Sequence, residues 1–157
     1  GAARTSISII DNGVPYLNRS VDIGGAAISE ALAKRLQMDL EKAEQFKLDL
    51  SNTSANGAAL DVLTSALNPI VNEVQYSLNL YRGQAGSQAK TIDKIILTGG
   101  TALLVNLPDY LKKSLNMRVF VGDPWARVMY PEDLKPVLDE VGPRFSVAIG
   151  LAMREIE

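Results

Sequence analysis

Apolar positions recur along the chain with two different periods, and the points where the period changes divide it into elements. Residues 4–10, RTSISII, alternate polar with apolar types and are rich in β-branched side chains, which predicts a half-buried strand. Asp11-Asn12-Gly13 follows as a tight-turn signal, since Asn and Gly tolerate positive φ, and residues 14–23 return as a second strand of a hairpin. Gly24-Gly25 ends it. Residues 26–36, AAISEALAKRL, place Ile28, Leu32 and Leu36 on one face of a helix. Asp39 is the expected N-cap of a second helix, 40–48, in which Glu44 and Lys47 stand three apart.

After a polar loop at 51–57, SNTSANG, the apolar positions Leu60, Leu63, Leu67, Ile70, Val74, Leu78 and Tyr81 keep a spacing of three and four. Pro69 interrupts that run, and the economical reading is a break, with Asn68 capping a new helix that starts at Pro69. Residues 83–89 read as a loop. The stretch 38–89 is thus all helical and flanked by strand-containing sequence, the pattern of a helical lobe inserted into a sheet domain. Then comes KIILTGGTALL, residues 94–104. Ile95, Ile96 and Leu97 predict a strand, Gly99 and Gly100 a turn, and the remainder the start of a helix. A further helix, 108–115, carries Leu107, Leu111 and Leu115, and RVFV, 118–121, is the next strand, stopped by Gly122-Asp123-Pro124. Residues 125–136 are irregular, with Trp125 as a hydrophobic plug. A last helix, 143–156, has Pro143 near its first turn. Its small residues Ser146, Ala148, Gly150 and Ala152 permit close approach to the sheet or to the Gly99-Gly100 turn.

That turn is the candidate for chemistry. Glycines at a strand-to-helix junction let a ligand approach the backbone without a Cβ in the way, and the free N–H groups of a helix start favour anions. Taken alone the pair is a weak signal, because most such turns merely connect two elements. Composition narrows the field. With 46% hydrophobic and 22% charged residues, 157 residues suit one ordinary domain or two small lobes. Sixteen basic and eighteen acidic residues give a net charge of −2, with no basic stripe to suggest nucleic acid. There is no Cys and no His, which excludes disulfides, thiol nucleophiles, zinc sites with those ligands and any imidazole base, and fits a reducing cytoplasm. No apolar run reaches membrane-spanning length, so membrane attachment would come through a partner. The chain opens without an initiator Met or signal peptide, directly in a glycine turn that leads into a strand, and the expectation is a piece of a longer protein.

Three separated stretches together resemble the PilM family of type IV pilus assembly proteins, relatives of the cell-division protein FtsA in the actin and Hsp70 ATPase superfamily. GAARTSISI, 1–9, is similar to the family's second phosphate loop, although the aspartate that precedes the glycine is not in this chain. SVDIGGAAISEALAKRL, 20–36, with KAEQFK, 42–47, matches the family's glycine-pair helix and the segment beside the adenosine, with Ala26 where an aspartate is usual. Residues 94–125 resemble the superfamily's adenosine motif with its following helix and strand. NEVQYSLNLY before them and PRFSVAIGLAMRE after them make the match specific, with Tyr76 where an arginine is common.

The resemblance implies an α/β, actin-like (ribonuclease H-like) half with a mixed sheet flanked by helices, residues 1–37 and 90–157 forming subdomain IIA and 38–89 a helical IIB insert. It implies a cytoplasmic ATP-binding scaffold, peripheral to the inner membrane. This scaffold would recruit pilus components such as PilN and PilO through the N-terminal peptide of PilN and couple them to the assembly motor. ATP with Mg²⁺ would sit between two halves of the full-length protein. The phosphates would lie against Gly1, Ala2, Ala3, Arg4 and Thr5, and the glycine pair Gly24 and Gly25 would line the cleft. Adenosine would lie against Glu44, Lys47, Gly99, Gly100 and Thr101. No residue of this chain is assigned a catalytic or metal-binding role; the expectation is at most a weak ATPase in the full-length protein, no catalysis by this chain, no nucleotide held by it in isolation, and a tendency to homodimerise. Two rival readings stand beside this one: an FtsA-like or other actin-like ATPase, and an interaction module that has lost nucleotide binding, which Ala26 motivates.

Overall fold

The computed structural model describes residues 1–50, 57–86 and 91–155. Strands β1 (Thr5–Asp11) and β2 (Val14–Val21) form the expected antiparallel hairpin, in register from Thr5 opposite Val21 to Asp11 opposite Val14, with a shift between Ile9 and Ile10. Asn12 and Gly13 both take left-handed backbone, φ 51° and 78°, the conformation whose twist matches that of the flanking strands. Helix α1 (Gly25–Leu36) ends on Gln37 in the left-handed region. The Asp39 side chain accepts from the Lys42 amide at 2.8 Å and so caps helix α2 (Leu40–Asp49) as its position predicts.

Helix α3 (Gly57–Ala85) corrects the sequence reading, because it runs unbroken through Pro69. The proline forfeits one backbone bond and costs about 3 kcal/mol in a helix interior. Against this stand Leu63, Leu67 and Val71, all buried on one stripe that a break at Asn68 would split, each stabilising by about 1.5–3 kcal/mol. Burial wins. Asn68 does not cap anything; its side-chain oxygen accepts from the Tyr110 hydroxyl of a neighbouring helix at 2.7 Å. The same helix extends over the start of the loop expected from residue 83, while the expected loop residues 51–56 and 87–89 lie outside the described ones.

Strand β3 (Lys94–Leu97), helix α4 (Asn106–Leu115) and strand β4 (Arg118–Val121) make a β-α-β unit whose strands pair in parallel, Lys94 opposite Arg118. Between β3 and α4 the chain makes a single 3₁₀ turn, Gly100–Leu103. Helix α5 (Lys135–Ala152) begins eight residues before Pro143, with Pro136 in its first turn and Pro143 inside it, so Pro136 and not Pro143 marks the start. Among the described residues the strands form two separate two-stranded sheets.

The main core joins α1, α2, α3 and α4 through Ile28, Leu32, Ala43, Leu67, Leu107 and Leu111. A second cluster, Ile9, Leu78 and Tyr81, packs the far end of α3 on the hairpin, where Tyr16 meets Tyr81 edge-on at 5.0 Å. Arg19 of β2 pairs with Glu73 and lies over the Tyr76 ring at 4.9 Å. Trp125 plugs the start of α5 with a polar handle: its indole N–H donates to the Leu138 carbonyl at 2.7 Å, and only glycine at 142 leaves it room.

Candidate functional site

The N-terminal segment is strapped to the start of α1. Gly25 and Ala26 amides donate to the carbonyls of Gly1 and Ala2, each at 2.9 Å, and the Thr5 hydroxyl donates to the Ile23 carbonyl at 2.7 Å. Gly24 is what allows this, since a Cβ there would stand 2.4 Å from the Ala2 carbonyl oxygen and 2.5 Å from that of Gly1. No side chain fits such a gap.

One turn into α1, Ser29 anchors a polar knot with α2. The Lys47 ammonium donates to the Gly25 carbonyl at 2.9 Å, to Ser29 Oγ at 2.8 Å and to Glu44 Oε2 at 2.7 Å, which uses all three of its protons. Ser29 also donates to Glu44. The Lys47 and Ser29 hydrogen bonds hold the Glu44 carboxyl below the usual range, with a smaller contribution from the charge of Arg144. Lys47 is only 11% exposed and Glu44 49%, so the lysine serves as a pin while the carboxylate keeps one edge in solvent.

The second glycine pair closes on the first. Gly99 has φ 89°, and its amide donates to the Pro143 carbonyl of α5 at 2.6 Å. A Cβ on Gly99 would lie 4.0 Å from the Gly1 nitrogen, and one on Gly25 would lie 3.4 Å from the Thr101 hydroxyl and 3.3 Å from Lys47 Nζ. At Gly100 the space a Cβ would take is bordered by the Arg144 side chain, whose Nε is 3.3 Å away.

Gly1, Gly24, Gly25, Glu44, Lys47, Gly99, Gly100 and Thr101 therefore meet on one face, with backbone close to backbone, a hydroxyl and a carboxylate edge exposed beside it. Ala2 contributes a carbonyl to the strap. Arg4 instead pairs with Asp22 at 3.0 Å on the open surface, Thr5 is committed to the hairpin, and Ala3 is simply exposed. Sequence reasoning missed two residues. Ser29 was visible as a polar residue on the buried face of α1, whereas Arg144 carries no local signal, being brought in by the Gly99–Pro143 bond from 45 positions away. Among the described residues no group of acidic side chains is placed to hold a metal ion.

Comparison with known proteins gives a consistent picture. A family model described as type IV pilus assembly protein PilM matches residues 1–156. Cell division protein FtsA from Agrobacterium fabrum is 25% identical over 96% of this chain and 38% of its own length. FtsA from Neisseria meningitidis serogroup B is 24% identical over 96% and 40%. The chain thus spans about two-fifths of the length of the curated relatives it matches. Among solved structures, a PilM-PilN type IV pilus biogenesis complex superposes with a TM-score of 0.81 at 28% identity, covering 100% of this chain and 44% of that one. The ethanolamine utilization protein EutJ from Carboxydothermus hydrogenoformans superposes with a TM-score of 0.70 at 20% identity, covering 96% and 45%, a likeness of fold alone. The fold is the expected actin-like α/β half.

Proposed function

The chain belongs to the family of type IV pilus assembly protein PilM, and on that premise we propose that it forms one wall of an ATP cleft in a scaffold protein of pilus assembly. The observation that carries the nucleotide reading is the meeting of two glycine turns, Gly24-Gly25 and Gly99-Gly100, around the strapped N-terminal segment. In this reading adenosine lies against Gly99, Gly100 and Thr101 with a ribose hydroxyl donating to the open edge of Glu44. The phosphates would lie toward Gly1, and Mg²⁺ would be carried by the phosphates themselves, since no group of acidic side chains among the described residues is placed to hold it. Lys47 holds Glu44 in place without touching the ligand. ATP supplies the phosphate charge; the chain binds and orients. Residues 1–37 and 90–157 act as lobe IIA and 38–89 as IIB.

The complete protein, in this proposal, binds the N-terminal cytoplasmic peptide of PilN, recruits the inner-membrane pilus components and couples them to the assembly motor. It stays cytoplasmic and reaches the membrane through those partners. The absence of a membrane-crossing helix among the described residues is compatible with such attachment. The test is isothermal titration of ATP into the complete polypeptide that carries this sequence. Saturable heat is expected. No heat at millimolar ATP would instead favour an interaction module without nucleotide, the reading that Ala26 motivates.

A further inference from the structure

We propose that Arg144 is a ligand-holding residue of this site, its guanidinium reaching from beside Gly100 toward the phosphate groups of a nucleotide on the Gly1 side, which the Gly99 turn adjoins. The inference rests on the nucleotide-binding reading above and adds a residue to it. Arg144 sits on α5, outside every glycine turn, yet its position is fixed by the turn. The Gly99 amide is bound to the carbonyl of Pro143, the preceding residue, at 2.6 Å. The arginine stem then passes over Gly100, with Cγ, Cδ and Nε 3.6, 3.8 and 3.3 Å from the place a Cβ would occupy. Gly100 leaves open the space against which that stem rests.

The second step is a count of free charge. Lys47 spends its three protons on Gly25, Ser29 and Glu44, and Arg4 is paired with Asp22. Arg144 makes no hydrogen bond or ion pair among the described residues, although Glu44 is near enough to feel its charge. Lys47 and Glu44 cancel locally, so among the described side chains of the wall Arg144 is the cation left uncompensated, with five donors in a planar fork, the group best suited to phosphate oxygens. A solvated surface arginine would explain the exposure equally well. What favours the ligand role is the lie of the stem along Gly100, with Nε 3.3 Å from the place a Cβ would occupy, on the face where the two glycine turns meet.

The experiment compares ATP and adenosine binding by titration calorimetry in the complete polypeptide, as wild type, Arg144→Gln and Arg144→Lys. Glutamine keeps much of the stem over Gly100 and removes the charge. The expected result is a loss of about tenfold in ATP affinity for Arg144→Gln, the scale of a charge-assisted hydrogen bond, with adenosine affinity within about twofold of wild type. Arg144→Lys should recover most of the ATP affinity. A variant that melts as the wild type does but loses ATP and adenosine equally, or loses neither, overturns the charge role. Wild type that binds no ATP overturns the nucleotide reading itself, and this inference with it.

Discussion

At the scale of single residues, Glu44 is the group whose environment makes the sharpest prediction. Its carboxyl is held below the ordinary value of 4.5 by hydrogen bonds from Lys47 and Ser29. The unfolded chain therefore binds a proton at a higher pH than the folded one does, and Glu44 contributes stability above its unfolded pKa that is lost as pH falls through its folded pKa. Urea denaturation of wild type and Glu44→Gln should show the two diverging at neutral pH, wild type being the more stable, and converging as the pH drops below about 4. A difference that stays constant down to pH 3 would mean that the carboxylate is not held by this knot. The pair itself was legible in the sequence, because a spacing of three on a helix brings two side chains together. Arg144 was not, since the small residues beside it direct its helix to the Gly99-Gly100 turn without singling out this side chain, which only the tertiary bond from Gly99 to Pro143 brings there.

At the scale of elements, local rules placed the hairpin, α1, the Asp39 cap and the two parallel strands correctly, each through a signal that acts within a few residues. The Pro69 reading failed because local and tertiary terms compete, whereas the start expected at Pro143 failed because Pro136 already stands in the first turn of α5. A proline weighs against a helix by a fixed local amount, while the burial that outweighs it comes from other elements packed on Leu63, Leu67 and Val71. Pro69 is exposed, so its ring contributes little to that packing. Pro69→Ala should restore the backbone bond to Ser65 and raise stability by about 2 kcal/mol. That is the 3 kcal/mol helix penalty less up to about 1 kcal/mol for the added freedom of the unfolded chain. The midpoint of chemical denaturation measures this, and helical circular dichroism should be unchanged. A fall in stability would mean that the proline's own packing matters more than its lost bond.

At the scale of the whole molecule, the C-terminal half of α5 is apolar nearly all round, a pattern that belongs to a helix covered on every side. Here it is not covered among the described residues. Ile149, Gly150 and Met153 line one side of a cavity of about 350 Å³ whose other side is Ile96, Gly122 and Pro124. Away from that cavity Val147 and Leu151, one helical turn apart, are 74% and 60% exposed. Isolated apolar residues on a surface are ordinary, but an exposed apolar stripe beside an apolar cavity is a candidate for association. The small residues of α5 were expected to permit close approach, and the Gly99–Pro143 bond realises this at one end only; Gly150 has nothing within 4 Å of where its Cβ would be. The 157-residue chain produced alone should therefore self-associate, with a weight-average mass by light scattering rising above the 16.9 kDa of one chain as concentration increases. Val147→Glu combined with Leu151→Glu should hold it at one chain without lowering its melting temperature by more than a few degrees, because neither side chain contributes much to the core. If the double variant associates as the wild type does, the contact lies elsewhere, and the exposed Phe120 and Val121 of β4 become the next surface to charge.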